Sequence, residues 1–388
     1  MESADLPILP RIRPIYDVMY LDGRIRMGSG PAYASEIEDP DRHWEPLVLL
    51  LDGTRHRDEL ARELAGTLTT AEVDEGVRTL HAAGFLEDAA AIPPAELSAD
   101  DLRRYSRNLN FFRTRAAAGE DFHTPQVTLK KTRVVVFGMG GIGANVCLAL
   151  AELGVGHITG VDFDRVELSN LNRQVLYSTS AVGQPKVEAA AESMRQFNPD
   201  IRFTAVERRL ESLEDIEEIL DAARPDFVFC LADRPNGWID FWVNEGCVRR
   251  GIPYTAGSIS SHVGTAYSVL PGQGPCYRCI VDGENAEHPE FQELLDYVRA
   301  HDLDSSNGAL GPACMFLGYF LTYEMLRRRL GLGTMLTSHK LLEIDFMTFD
   351  QQWHETVRRA GCPVCAKTAA HSGAPSPVRT LPADGAHD

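Results

Sequence analysis

The sequence predicts an α/β fold with a mainly parallel sheet, preceded by a small α+β domain. Two short apolar runs in the middle of the chain are each followed by residues that suit a nucleotide. The residues before about residue 96 do not fit this strand-and-loop pattern. The 388 residues suit one small and one large domain with ample core. We place these domains at 1–95 and 96–365, and we expect 366–388 to be a disordered tail because it lacks an apolar period.

The N-terminal region predicts short strands and three helices, the composition of a winged-helix unit. Strands are expected at Ile12–Leu21 and Arg24–Met27, around the turn Asp22–Gly23. We expect three helices after these strands. The first helix ends before Thr54, Thr54 starts the second helix, and Thr70 caps the third helix.

Charge and hydropathy exclude two classes of partner. The chain has 56 acidic and 38 basic residues and a net charge of -18, which argues against nucleic acid binding. No stretch approaches the roughly twenty apolar residues that span a bilayer, and we predict no membrane association. Thiols without an export signal indicate a cytoplasmic protein.

A glycine-rich turn follows the first apolar run of the large domain. Val134–Phe137 predicts a buried strand, and an apolar helix begins near Ala144. Glycines let the backbone approach a polyphosphate, which the free N–H groups of the helix N-terminus then bind. The predicted phosphate-binding glycines are Gly138, Gly140, Gly141 and Gly143. This turn alone leaves nicotinamide, flavin and ATP enzymes open.

The next strand and the segment after it favour ATP. Ile158–Val161 ends in Asp162 and Asp164, at the right distance for a carboxylate to bind ribose hydroxyls. Two cations follow, Arg173 and Lys186, which suit a triphosphate and the charge that develops as pyrophosphate leaves.

The run D-F-D-x-V-E-L-S-N-L-N-R-Q, followed by V-G-Q-P-K, resembles the ThiF/MoeB superfamily, relatives of ubiquitin-activating enzymes that adenylate a carboxylate. The resemblance covers about Leu102 to Cys365 and implies a Rossmann-like adenylation domain that uses ATP and Mg²⁺. It assigns the ribose to Asp162, the magnesium ion to Asp233, and the phosphates to Asn170, Arg173, Gln174 and Lys186. Arg107 matches an arginine that the family supplies across a homodimer interface.

Two C-x-x-C pairs predict a metal site. Cys276 and Cys279 form the first, and Cys362 and Cys365 the second. Four thiolates suit a closed structural zinc site. A redox pair is the alternative, but such a motif is expected where a strand leads into a helix, whereas Cys276 follows a turn.

The segment from Ile280 to Gly311 contains no cysteine, although many sulfur-transfer and ubiquitin-type members carry one there. Cys314 lies just beyond, where we expect a helix to begin, and the dipole at a helix start lowers the pKa of a thiol. Its apolar neighbours favour a packed helix instead, so a covalent thiol intermediate is not expected.

The N-terminal phrases L-L-D-G-T-x-x-x-x-E-L and V-x-x-L-x-x-A-G-F-L resemble PqqD-like domains, which bind leader peptides by adding them as a strand to a sheet. The combination predicts an enzyme that adenylates a carboxylate on a ribosomally made precursor peptide. Two alternatives stay open: adenylation of a sulfur-carrier protein, and delivery of a leader peptide to a partner modification enzyme, a YcaO-type cyclodehydratase.

Overall fold

The computed structural model describes residues 6–30, 34–301 and 308–366. The chain forms two compact units, Met1–Val127 and Thr128–Asp388. The predicted domain boundary near residue 95 lies shortly before the start of the ThiF/MoeB resemblance, and it stays a prediction. All but the first residue of the expected tail lies outside the described residues.

The N-terminal unit contains two small antiparallel sheets and several helices. Its elements are β1 (Pro10–Ile12), β2 (Val18–Leu21), β3 (Arg24–Met27), β4 (Ser35–Glu38), α1 (Glu45–Leu50), α2 (Arg57–Glu63), α3 (Thr70–Ala82), β5 (Leu86–Asp88), α4 (Ala99–Arg104) and α5 (Ser106–Arg115). β1 pairs with β5, and the second sheet has the order β2-β3-β4. A buried apolar core that includes Met27, Leu47 and Val77 holds the three-stranded sheet against the helices.

Three local expectations for this unit were wrong. Ile12–Leu21 is two strands, because the chain leaves β1 after Ile12 and re-enters a sheet only at Val18. Thr54 does not start α2; its hydroxyl donates to Asp52, and His56 is the N-cap. Thr70 is the first helical residue of α3, and Thr69 caps the helix through a reciprocal pair of hydrogen bonds with Glu72.

The C-terminal unit contains one large sheet flanked by helices. After α6 (Thr124–Lys131), which spans the boundary, its elements are β6 (Arg133–Phe137), α7 (Gly141–Leu153), β7 (His157–Asp162), α8 (Lys186–Phe197), β8 (Arg202–Glu207), α9 (Leu213–Ala223), β9 (Phe227–Cys230), α10 (Ile239–Arg250), β10 (Tyr254–Ser260), β11 (Val263–Val269), α11 (Tyr277–Glu287), α12 (Glu290–His301), α13 (Gly311–Leu330), β12 (Lys340–Asp345) and β13 (Gln351–Glu355).

The eight strands have the order β13-β12-β11-β10-β9-β6-β7-β8. The five from β10 to β8 are parallel, and β11, β12 and β13 extend the sheet antiparallel. β6 and β9 are almost completely buried, with Phe137, Phe227 and Phe229 in the core. The α/β class with a mainly parallel sheet is confirmed.

The segment from Ile280 to Gly311, which follows the first cysteine pair, contains helices. α11 continues the chain after Cys276, and α12 follows it. The later positions of this segment, 302–307, lie outside the described residues. Among the described helices, none is both long enough and apolar enough to cross a membrane.

Candidate active site

A large cavity lies along the carboxyl ends of the parallel strands, where open α/β sheets bind ligands. Its volume is about 980 Å³. It is lined by the glycine loop after β6, by residues of β7 and of the strands from β9 to β13, and by residues of α7, α8, α10, α11 and α13. This size is at the upper end for small-molecule sites and leaves room for a nucleotide beside a second reactant.

We call the part of the cavity next to β6 and β7 the phosphate end. The lining residues that define it are Gly138, Gly140, Gly141, Asp162, Asp164, Asn170, Arg173, Gln174 and Lys186. These are the predicted cofactor-binding residues except Gly143, and the structure brings them together around the N-terminus of α7.

Close backbone approaches require two glycines of this loop, Gly138 and Gly143. Gly138 has φ +90°, and a Cβ there would lie 2.5 Å from the backbone nitrogen of Ala232. Gly143 does not line the cavity; a Cβ on it would lie 1.9 Å from the carbonyl oxygen of Gly138. Gly143 therefore lets α7 begin directly under the loop, while Gly140, at the N-cap, leaves the loop open to a ligand.

The carboxylates at the end of β7 are fixed by the backbone. The N–H of Met139 donates to Oδ2 of Asp162 at 2.7 Å, and the N–H of Asp164 donates to its Oδ1 at 2.8 Å. Burial raises the pKa of Asp162, and the nearby Lys186 opposes that shift. Lys186 itself is buried and donates to Asp164 at 2.7 Å, so an incoming phosphate would compete with this carboxylate for the ammonium group.

The segment between β7 and α8 holds three polar side chains against the glycine loop. Arg173 donates to the carbonyl of Ser169 and to the side chain of Asn172, each at 3.0 Å. Gln174 is almost completely buried, and its Oε1 has no hydrogen-bond partner among the described residues. Asn170 accepts the N–H of Glu167 at 3.0 Å, which fixes the short turn that carries Arg173.

Two predicted residues are exposed. Asp233 follows β9 and lines the same cavity, so its carboxylate is accessible to a bound ion. Arg107 lies near the start of α5, in the N-terminal unit, with its side chain in solvent.

The other part of the cavity, which we call the acidic end, was not found from the sequence. It is lined from α10, β11, α11 and β12 by Asp240, Tyr267, Tyr277, Glu284, Glu287 and Glu343. The rings of Tyr267 and Tyr277 stack with centroids 5.2 Å apart. Tyr267 donates to Oδ1 of Asp240 at 3.1 Å, and the thiol of Cys230 donates to the same oxygen at 3.7 Å. Burial raises the pKa of Asp240 against these hydrogen bonds.

The four predicted metal ligands converge beneath this acidic end. The sulfur atoms of Cys276, Cys279, Cys362 and Cys365 are buried and all lie within 4.8 Å of one another. Cys276 and Cys362 are 3.6 Å apart, and Cys279 and Cys365 3.5 Å. Thiolates 2.3 Å from a tetrahedral zinc ion would be roughly 3.8 Å apart, so the group fits this metal.

Cys276 follows the turn at 271–273, as expected, and is also the N-cap of α11. The pKa of Cys279 is lowered by hydrogen bonds, the largest from Cys276, and the N–H of Arg359 also donates to its sulfur at 3.4 Å. The second pair nevertheless lies against the first, which a lone redox pair would not require.

Cys314 lies in the first turn of α13, where a helix start was expected. It lines the cavity, and a Cβ on Gly141 would be only 2.8 Å from its sulfur. Burial raises the pKa of this thiol, although the nearby Arg173 opposes the shift. Its surroundings therefore favour the protonated thiol over a nucleophilic thiolate.

The fold and this site define an ATP-dependent adenylating enzyme. Residues 105–364 match the model of the ThiF family. The chain belongs to the ThiF family, and its relatives are named adenylyltransferases. It is 34% identical to the molybdopterin-synthase adenylyltransferase of Escherichia coli over 70% of this chain and 100% of that protein. It is also 34% identical to the SAMP-activating enzyme E1 of Haloferax volcanii, over 71% of this chain and 93% of that protein.

Solved structures share the fold over more of the chain. The structure of E. coli MccB with ATP has a TM-score of 0.67 and 20% identity and covers 92% of this chain and 99% of that one. The microcin C7 biosynthetic enzyme MccB in complex with N-formylated MccA has a TM-score of 0.68 at 21% identity, over 92% of this chain and 99% of that one. PaaA has a TM-score of 0.72 at 21% identity, over 89% of this chain and 100% of that one.

Proposed function

We propose that this protein adenylates a carboxylate of a ribosomally made precursor peptide whose leader is held by the N-terminal unit. One observation carries the proposal. The 104 residues that precede the family match are additional to the adenylating domain, yet the likeness to MccB leaves only 8% of the chain uncovered. The shared fold therefore extends into the N-terminal unit, and the MccB structures include one with MccA bound.

The sheet of the N-terminal unit offers an edge for a leader. β2 and β4 are its outer strands. β4 carries Glu36 and Glu38, whereas β2 exposes the apolar Tyr20 and Leu21. An extended peptide gains main-chain hydrogen bonds at such an edge, and apolar side chains add specificity. We place the leader beside β2.

At the phosphate end, Asp162 binds the ribose, while Arg173, Lys186, Asn170 and Gln174 bind the phosphates of ATP. The cations neutralise charge as the peptide carboxylate attacks the α-phosphate and pyrophosphate departs. Asp233 would hold Mg²⁺, whose chemistry is to bridge and neutralise phosphate oxygens. The four cysteines would hold zinc in a closed structural site.

Arg107 is assigned to the ATP site of a second copy in a homodimer, with the role of an arginine finger. The test mixes two single variants, Arg107→Ala and Lys186→Ala, each expected to be inactive alone. A mixed dimer contains one site with both residues intact, so the mixture should recover part of the wild-type activity. If the mixture is as inactive as each variant alone, Arg107 does not act in the ATP site of the second copy.

The proposed function is tested by ATP–pyrophosphate exchange with purified protein and candidate precursor peptides from the same genomic neighbourhood. Exchange that depends on one peptide is the expected result. Binding of the labelled leader, measured by fluorescence anisotropy, should weaken in Leu21→Asp. It should remain in the matched control Leu49→Asp, whose exposed side chain lies on α1. Leader binding without exchange would instead identify a delivery protein.

A second candidate function rests on the sequence identities. The identity of 34% to the molybdopterin-synthase adenylyltransferase exceeds the 21% to MccB. A small sulfur-carrier protein would then present its C-terminal carboxylate to the same phosphate end. The same exchange assay, run with a carrier protein that ends in Gly-Gly, decides between the two substrates.

A further inference from the structure

The two ends of the cavity differ in their charged side chains. The phosphate end has Arg173 and Lys186 beside the carboxylates of Asp162 and Asp164. The acidic end is lined by Asp240, Glu284, Glu287 and Glu343, and Glu343 pairs with His354. Four strand spacings separate β7 from β11, which is about 19 Å across the sheet. The β11 side of the acidic end is thus distant from the phosphate end, and its carboxylates suit a cation rather than a second anion.

Aromatic rings add to this preference. The stacked Tyr267 and Tyr277 border the carboxylate of Asp240 on the cavity wall. An ammonium group is stabilised both by a carboxylate and by the faces of aromatic rings. The acidic end therefore has the chemistry of a site for an amine.

Asp240 occupies the middle of the cavity. It begins α10, and its hydrogen bonds come from Cys230 at the end of β9 and Tyr267 on β11. β9 is the neighbour of β6, which carries the glycine loop. Both side-chain donors reach Oδ1, and among the described residues no side chain donates to Oδ2; the carboxylate also accepts the backbone N–H of Asp240 itself.

We propose that the acidic end binds a primary amine, and that Asp240 is the general base that takes its first proton so that it can attack the acyl-adenylate. This rests on the proposed adenylation. The amine nitrogen forms a bond to the acyl carbon, the bond from that carbon to the AMP oxygen breaks, and AMP leaves with its electron pair. The bound ammonium group gives its first proton to Oδ2 of Asp240, which makes the nitrogen nucleophilic. The nitrogen gives its second proton to the departing AMP phosphate after the new bond forms, and the product is an amide.

A base is required because an alkylamine resembles lysine, whose pKa is about 10.4, and is mostly protonated at neutral pH. Burial raises the pKa of Asp240 and makes its carboxylate a better proton acceptor. Among the described residues, the titratable groups that interact with Asp240 include Tyr254, Tyr267, Tyr277 and Cys230, and Arg299 is the cation that acts on Tyr277.

The experiment compares wild type with Asp240→Asn in three assays that use one precursor peptide. Pyrophosphate exchange reports adenylation, hydroxylamine reports trapping of the acyl-adenylate by a nucleophile that is already neutral, and mass spectrometry reports amide formation. If n-butylamine is added and forms the amide, the mass of the peptide increases by the mass of the amine minus the mass of one water molecule. If an amine of the peptide itself forms the amide, the mass of the peptide decreases by the mass of one water molecule.

We expect Asp240→Asn to keep exchange and hydroxylamine trapping within about threefold and to lose amide formation by about 100- to 10,000-fold. Glu245→Gln, on the same helix but paired with Arg249, is the matched control and should resemble wild type in all assays. If Asp240→Asn does not fold, Tyr267→Phe is used, which should slow only amide formation.

Unchanged amide formation in Asp240→Asn, or an equal loss of exchange and amide, would overturn the role of Asp240. Formation of a hydroxamate but of no amide in the wild type would overturn the amine site. Failure of the proposed function is distinct, because the wild type would then show no exchange with any peptide.

Discussion

The phosphate end and the acidic end of the cavity are built in different ways. The phosphate end uses backbone groups and side chains from one stretch of chain, Gly138 to Lys186, arranged around two neighbouring strands. The acidic end takes side chains from α10, β11, α11 and β12, which are far apart in sequence. We expect the phosphate end to bind ATP, the nucleotide of the adenylating family, and we expect single substitutions at the acidic end to leave that binding intact.

The largest expected effect comes from a substitution in the phosphate end. Lys186→Ala removes a buried cation that would face the phosphates and should lower pyrophosphate exchange by about 100- to 1,000-fold. The control is Arg195→Ala on the same helix, α8, where the exposed arginine pairs with Glu192 at the surface. If the two variants had equal activity, Lys186 would have no part in catalysis.

Removal of the metal should damage the acidic end first. Tyr277 lies between Cys276 and Cys279 and lines the cavity, so the cysteine group positions its ring. Cys362→Ser should lose bound zinc, measured by elemental analysis, and lower the thermal midpoint by more than about 5 °C.

ATP affinity in Cys362→Ser should stay within about threefold, because the phosphate end does not touch the metal group. Cys247→Ser, a core cysteine in α10, is the control and should keep its zinc. Full zinc content in Cys362→Ser would show that this thiol is not a ligand.

A smaller effect should follow from Gly143→Ala. The added Cβ would overlap the carbonyl of Gly138, and overpacking of this kind costs about 1–3 kcal/mol. We expect a lower thermal midpoint together with weaker ATP binding, since the loop must move. Gly66→Ala has open space around its Cβ and should change neither quantity. A stable variant with normal ATP affinity would show that the loop tolerates displacement.

The contrast between the two ends also explains what the sequence could predict. The glycines, Asp162, Arg173 and Lys186 follow a contiguous pattern, so their convergence was foreseeable from a strand, turn and helix alone. The four cysteines were foreseeable as well, because each pair has ligand spacing of its own.

Asp240 and Glu343 carry no such pattern. Each is a single acidic residue on an otherwise ordinary element, and only the sheet order, in which β10 separates β9 from β11 and β12, brings these elements to one cavity. Thr69 and Thr70 show the same limit locally, because either could cap α3 and the reciprocal bond with Glu72 decides it. In both cases the residue types were visible in the sequence, but their positions in the folded structure could not be predicted from it.

The smallest expected effect concerns Cys314, which tests whether the phosphate end contains a covalent nucleophile. Its sulfur lies against Gly141 and near Arg173, a position that a sulfur-transfer mechanism could use. Burial raises the pKa of the thiol, so the thiolate is scarce at neutral pH. Cys314→Ser should therefore keep exchange and amide formation within about twofold, a small polar change in a partly polar cavity. A folded Cys314→Ser protein that retained exchange but formed no product would place a thioester after the adenylate, with Cys314 rather than the amine as the first acceptor.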